Sequence, residues 1–280
     1  MRNFSWTRIS CFADCPYKYK LRYLDHLRPI KKASALSLGY CMSRGLQTYR
    51  QTGNQDKAVD AFIAAWKEDR KVLLLEKKDD PRRSVERGLE ILKNYVEEFP
   101  EEKTFVVAPE VNFETEVAPS INFIGRIDAV IRMADESLAI IEDKTTSRLG
   151  PSYFTRLKGS SQVLWYMWVA NKLGLFDLEG KKQMPKCLIN AIYIHAETRR
   201  FERDITVKSV KTLEQAQQNM LKWINRIIAA EEANCFPRND LDNSVCTAYG
   251  GCDYLPLKYV AESLKERIIK KEFQISERKS

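Results

Sequence analysis

The sequence predicts a single α/β domain built on a mixed sheet of about five strands with helices on its faces. Four stretches alternate apolar with other residues at period two, 104–117, 123–146, 188–195 and 201–207, as half-buried strands do. Three others, 55–78, 81–99 and 210–232, place apolar residues at helical spacing. The chain of 280 residues is 44% hydrophobic, enough for one sizeable core. It carries no internal repeat and no low-complexity tract.

From the N-terminus, residues 4–28 mix aromatic and basic side chains, with Tyr17, Leu21 and Leu24 spaced for one helix face. Two readings stand: Tyr17, Tyr19 and Tyr23 belong to the core with Lys and Arg facing solvent, or the aromatics stack bases while the cations hold phosphates. The stretches 55–78 and 81–99 predict two helices, bounded by Pro81 and Pro100, with a charged loop at 77–83 between them. In 104–117, Val111, Phe113, Thr115 and Val117 alternate with Glu110, Asn112, Glu114 and Glu116, and the last two acids are expected on an exposed face.

The stretch 123–146, FIGRIDAVIRMADESLAIIEDKTT, predicts an antiparallel hairpin about the polar turn 134–137. Alternation puts Glu142 and Lys144 on one face and the Asp143 side chain on the other, so replacing Asp143 is expected to spare the site. With the turn centred near Asp135, Asp128 falls opposite Glu142, and opposed side chains stand about 5 Å apart at Cβ. Two carboxylates and one ammonium converge. Unpaired carboxylates side by side repel and cost stability unless a cation lies between them, so the pattern points to a divalent metal.

After the hairpin, 145–159 reads as a polar loop. The next helix puts Gln162 and Tyr166 on one face at i, i+4, with Leu164, Trp165, Trp168 and Val169 as core. Residues 174–187 read as a loop, and the strands 188–195 and 201–207 flank a turn at 197–200. His195 is the histidine available for chemistry there. A long helix at 210–232 is followed by a tail with Cys235, Cys246 and Cys252, and the closing segment from Glu262 reads as a basic helix with a frayed end.

Composition narrows the partners. Forty-six Lys and Arg against 38 Asp and Glu give a net charge of +8, which suits a polyanion. No apolar run reaches membrane-spanning length and the first residues lack the apolar segment of a signal peptide, so a cytoplasmic protein without a membrane partner is expected. Seven cysteines in a reducing compartment are expected to be free, buried or metal-bound.

Gly125-Arg126-Ile127-Asp128 followed by Glu142-Asp143-Lys144 resembles the PD-(D/E)XK nucleases, most closely their RecB-like and CRISPR-associated exonuclease-like branch. Gln162-x-x-x-Tyr166 is similar to that branch's next motif. Ser5-Trp6-Thr7-Arg8 with Phe12, Cys15 and Pro16 resembles its opening element, and Leu38-Gly39 with Leu46, in the stretch 33–49, its glycine-bearing helix. The likeness spans Ser5 to Tyr166 and, through the cysteines, reaches about residue 258.

The resemblance implies a restriction-endonuclease-like sheet core at 101–232, helical N-terminal insertions within 1–100 and a Cys-bearing tail at 233–280. It implies a Mg²⁺- or Mn²⁺-dependent deoxyribonuclease, exonuclease-like, serving recombination, repair or mobile-element DNA, with single strands or duplex ends as substrate. Asp128, Glu142, Lys144, Gln162 and Tyr166 would be its catalytic residues. Glu110, Asp128, Glu142 and the Asp143 backbone carbonyl would hold the metal. An inert nuclease-fold module that binds DNA or protein is the alternative reading. Two positions depart from the family pattern. Ser43 stands where histidine is usual, which weakens the case for exonuclease action. Lys258 stands where some relatives carry the last cysteine of a [4Fe–4S] clasp, leaving Cys15, Cys246 and Cys252, with Cys235 or Cys11 as a substitute, and the protein is expected to lack a stoichiometric cluster.

Overall fold

The computed structural model describes residues 1–32, 34–72, 74–75, 83–194, 200–239, 244–247 and 251–276. His195, most of the charged loop 77–83 and most of the turn 197–200 lie outside them. Contacts divide the chain into two compact units, Met1–Lys31 with Glu114–Gly125 and Asn219–Ser280, and Lys32–Phe113 with Arg126–Gln218.

The second unit holds the expected sheet. Its elements in chain order are the helices α1 (Ser34–Thr52), α2 (Gln55–Val72) and α3 (Val85–Glu98), the strands β1 (Val106–Ala108), β2 (Ala129–Arg132) and β3 (Leu138–Thr146), the helix α4 (Ser161–Lys172), and the strands β4 (Lys186–Tyr193) and β5 (Phe201–Val207). The strand order is β5-β4-β3-β2-β1. β3 and β4 run parallel, with Ile141 opposite Leu188, while the β1–β2, β2–β3 and β4–β5 pairs are antiparallel, so the sheet is mixed. A parallel pair needs a long crossover, and α4 lies within it. The loop 145–159 also contains a short helix, Tyr153–Lys158, and 174–187 a small ladder in which Asp177–Leu178 pairs Lys181–Lys182.

Two predicted strands are each broken in two. In 104–117, Pro109 cannot donate to a ladder, so β1 ends at Ala108 and the chain resumes as the strand Val111–Ala118. In 123–146, Asp128 separates Ile121–Ile127 from β2. Ile121–Ile127 pairs instead with Val111–Ala118 and, in parallel, with Arg2–Ser5.

Helices α1, α2 and α3 approach closely because glycines stand at the contacts. A Cβ on Gly88 would fall 2.4 Å from Phe62 Cζ and 2.8 Å from Leu38 Cδ1, and one on Gly45 would fall 2.7 Å from Leu92 Cδ2. Phe62, Leu38, Met42, Leu46, Leu92 and Tyr95 form the buried core there, joined by Ile192 of β4. At Gly39 the α1 backbone comes near β3, where an added Cβ would stand 3.3 Å from Thr145 Oγ1.

A buried ionic row fastens the middle of the sheet. Asp143 of β3 lies opposite Asn190 of β4, and Asn190 opposite Arg203 of β5. Arg50 of α1 grips Asp143 with both ends of its fork, Nη1 to Oδ2 at 2.5 Å and Nη2 to Oδ1 at 3.0 Å, and its Nε donates to Glu102 Oε1 at 2.7 Å. Asn190 Nδ2 gives Asp143 Oδ1 a third bond at 2.7 Å. Arg203 pairs with Glu102 and donates to the Tyr95 hydroxyl at 2.7 Å. Two guanidinium groups therefore face two carboxylates. Burial raises the Asp143 carboxyl, but the Arg50 charge, the hydrogen bonds from Arg50 and Asn190 and the Arg203 charge together outweigh it and hold the group below the usual carboxylate range.

In the first unit, Ser5 caps the helix Trp6–Asp14 by accepting from Arg8 N–H, the role its residue type favours. Arg8 Nε then donates to the Tyr19 hydroxyl at 2.8 Å and Nη2 to Glu231 Oε1 at 3.2 Å, tying this helix to the helix Val210–Glu232. Leu21, Leu27, Tyr254, Leu257 and Phe273 form a second core. The closing segment is not helical to its end: after Glu262–Glu272 the residues Phe273–Ile275 pair antiparallel with Leu27–Pro29. Phe273 is the apolar side chain that draws the chain back to the core.

The ionic row gives the Asp143 side chain a structural role on the face away from the site. Asp143→Ala leaves the Arg50 fork buried and unmatched, a change worth about 3–5 kcal/mol. Urea unfolding of this variant should show a loss of that order, whereas Asp135→Ala at the exposed hairpin turn should change stability little. Equal stability of Asp143→Ala and wild type would refute the role of the row.

Candidate active site

The hairpin register sets Asp128 and Glu142 together. Ala129 pairs with Ile141 and Val130 with Ile140, so one step further Asp128 falls opposite Glu142. Asp128 Oδ2 accepts the Asp143 N–H at 2.9 Å, which fixes the carboxylate at the end of the ladder. Glu142 is only 4% exposed. Lys144, two residues along the same face, is ion-paired to Glu142 Oε1 and donates from Nζ to Gln162 Oε1 at 2.9 Å. Gln162 occupies the first turn of α4, whose start is set by the Ser160 cap on Val163 N–H. Tyr166 follows one turn later, hydrogen-bonded to Gln162, with its ring edge-on to Phe113 at 5.5 Å.

Asp128, Glu142, Lys144, Gln162 and Tyr166 are thus brought to one place by β3, the end of β2 and α4. Glu110 is engaged by its neighbours: Arg126 Nη1 pairs with its Oε2 at 3.1 Å and Asn112 Nδ2 donates to its Oε1 at 3.2 Å. Among the described residues no three of His, Cys, Asp and Glu are grouped to hold a metal ion. Arg126 also donates to Ser43 Oγ at 3.3 Å, so an arginine reaches the position where the resemblance leads one to expect a histidine. Sequence reasoning passed over Arg126, although its place two residues before Asp128 was a usable signal.

The charges explain one another. Burial, and then the Glu142 and Asp143 carboxylates, push the Asp128 carboxyl up to about 7, against the Asp143 N–H and the Arg50 charge. Burial works against the Lys144 ammonium, yet the Glu142 and Asp128 carboxylates raise it overall. A pair of acids that resists carrying two negative charges together is a fitting host for a divalent cation. Mg²⁺ binds through one or two carboxylates and keeps several waters, so a pair of acids such as Asp128 and Glu142 is a donor set of the kind it takes.

The cysteine tail does not fit a cluster. Cys11, Cys15 and Cys246 are buried, Cys252 is half-buried and Cys235 is exposed, and they form no metal-holding group. Lys258 is buried and donates to Asn239 O at 3.1 Å and to Cys246 Sγ at 3.5 Å. Burial pushes the Cys11 thiol up to about 11 and raises that of Cys252.

The model of the PD-(D/E)XK nuclease superfamily matches residues 3–257. The chain belongs to the PD-(D/E)XK nuclease superfamily. Its mixed sheet with flanking helices is the restriction-endonuclease-like fold of that superfamily. Among solved structures it is similar to a candidate exonuclease from Eubacterium rectale, at 14% identity and a TM-score of 0.59 over 92% of this chain and 88% of that one. The structure of SSO0001 matches at 17% identity over 74% of this chain and 83% of that one, with a TM-score of 0.31, too low to indicate a shared fold. No curated protein matches the chain. No helix among the described residues is long and apolar enough to cross a membrane.

Without metal, the raised Asp128 carboxyl keeps a proton that the unfolded chain releases near pH ~4. Its contribution is present at low pH and is lost as pH rises through about 7. Urea midpoints in EDTA should fall between about pH 4 and 7. Asp128→Asn should flatten that fall, and an equal slope in both proteins would contradict the assignment. Separately, iron and acid-labile sulfide assays on protein purified without air should find no stoichiometric cluster. Four irons per chain, about the content of one cubane, would contradict the reading of Lys258.

Proposed function

We propose that the protein is a divalent-metal-dependent deoxyribonuclease that hydrolyses phosphodiester bonds in an exonuclease-like manner at single strands or duplex ends. The observation that carries this reading is the opposition of Asp128 and Glu142, with Lys144 on the same face and tied to Gln162. Folding alone gains nothing from opposed acids, and membership of a nuclease superfamily gives them a use.

Asp128, Glu142 and the Asp143 carbonyl would hold Mg²⁺ or Mn²⁺, which when bound polarises the phosphoryl oxygen and acidifies a water. Lys144 carries a fixed positive charge on the site face, placed to orient the attacking water and offset charge building on the phosphate. Gln162 holds Lys144 from the side, so the ammonium does not swing freely between the acids. Tyr166, backed by Phe113 and bonded to Gln162, positions the strand or steadies Gln162. Glu110 joins the site only if Arg126 releases it, since both of its oxygens are engaged. The net charge of +8 favours a polyanionic substrate. Processing of recombination, repair or mobile-element DNA is the setting we propose for it.

The test is incubation of the pure protein with end-labelled single- and double-stranded DNA in Mg²⁺, Mn²⁺ or EDTA. Wild type should cut with metal and not in EDTA. Asp128→Asn and Glu142→Gln should reduce cutting to background while DNA binding persists. Lys144→Ala should keep metal binding and lose about 10²–10³ in kcat, the usual cost of removing one charge-stabilising group. Absence of cutting by wild type with either metal would refute the proposal.

A further inference from the structure

Three arginines surround Tyr23 in the first unit. Their guanidinium carbons lie 5.6 Å (Arg8), 5.7 Å (Arg22) and 5.4 Å (Arg28) from its ring centroid. Arg8 shows what a structural arginine here looks like. It is met by Glu231, the Tyr19 hydroxyl and the Asn3 carbonyl.

Arg22 and Arg28 have none of this. Neither forms an ion pair with a described residue, and each has a buried nitrogen, Arg22 Nε and Arg28 Nη1, that finds no hydrogen-bond acceptor. Buried polar groups are nearly always satisfied, and leaving a charged donor without a partner is costly. The two charges also share one neighbourhood. Burial pushes Tyr254 up to about 12 and raises Tyr23, and the guanidinium groups of both Arg22 and Arg28 pull against each shift. Stacking on Tyr23 accounts for the planar groups but leaves a buried donor of each without an acceptor.

Both side chains are half-buried, not sealed, so an outside acceptor can reach them. A planar fork suits the paired oxygens of a phosphate, and the Tyr23 ring, itself stacked on Tyr19, keeps the two forks beside one another. We infer that Arg22 and Arg28, on either side of Tyr23 in sequence, form a phosphate-binding site for a nucleic-acid strand. This site lies outside the residues that carry the acids, and the inference rests on the reading that nucleic acid is the substrate. The residues belong to the turn Lys20–Leu24 and the strand Leu27–Pro29, and this strand is fixed by pairing with Phe273–Ile275. The basic and aromatic run of 4–28 therefore divides its labour: Tyr19 is core, while Tyr23 with its two unpaired arginines faces a ligand.

The test measures binding of a fluorescein-labelled single-stranded oligonucleotide by anisotropy, in EDTA so that nothing is cut. Arg22→Gln with Arg28→Gln should weaken binding and reduce the magnitude of the log Kd against log salt slope by about 1.4, two lost phosphate contacts at about 0.7 each. Arg22→Lys with Arg28→Lys should keep most of the salt slope. Thermal melting separates the site from a structural role. Removing two unpaired charges should leave Tm unchanged or higher, whereas arginines needed for folding would lower it.

Unchanged affinity and slope in the Gln double variant overturn the inference, as does failure of the wild type to bind the oligonucleotide. Cleavage is scored apart. A wild type that binds through these arginines but cuts nothing with metal sinks the nuclease reading and leaves this site standing.

Discussion

Residues 142, 143 and 144 cannot all face the same way. A strand alternates its side chains, and β3 uses this to send Glu142 and Lys144 to one side of the sheet and Asp143 to the other. Everything around the candidate site depends on that division. On one face two acids and an ammonium meet, an arrangement that costs stability without a cation. On the other, Asp143 is clamped by Arg50 and Asn190 in a row that also takes in Arg203 and Glu102. The same backbone links the faces, because the Asp143 N–H that lies between them donates to Asp128. Strain on the chemical side is thereby offset by a matched ionic contact on the structural side.

Much of this was legible in the sequence because it follows from period and register. The turn at 134–137 fixed which residues oppose each other, and the pairing of Ala129 with Ile141 is the one that turn demands. The long helices were legible from their stripes and from the boundaries that Pro81 and Pro100 set. The breaks at Pro109 and Asp128 were less so. Alternation continues across both positions, and only pairing partners distant in sequence show that the strands on either side belong to different sheets. Arg50, Glu102 and Arg203 were not legible at all. They are far apart in sequence, each is an ordinary charged residue in its own segment, and only folding brings them to Asp143. The same limit explains Arg126, whose partners Glu110 and Ser43 lie on other elements.

In the first unit the tail is held by polar and aromatic contacts. Lys258 places an ammonium against Cys246 and the Asn239 carbonyl, and Tyr17 bonds to the Leu257 carbonyl at 3.2 Å. Hydrogen bonds and an aromatic core thus fasten the tail to the N-terminal helices. Against this well-matched background the unpaired Arg22 and Arg28 stand out, since nearby Arg8 has a full set of partners.

The central claim is that Asp128 and Glu142 form a cation site whose cost to the apo protein is met when a metal binds. The direct measurement is Mn²⁺ binding in the absence of DNA, followed by water-proton relaxation across pH. The account predicts saturable binding whose affinity rises as pH passes through about 7, is lost in Glu142→Gln, and is retained or strengthened in Lys144→Ala because the competing ammonium is gone. Binding that is indifferent to Glu142→Gln, or no binding by the wild type above pH ~7, would contradict it.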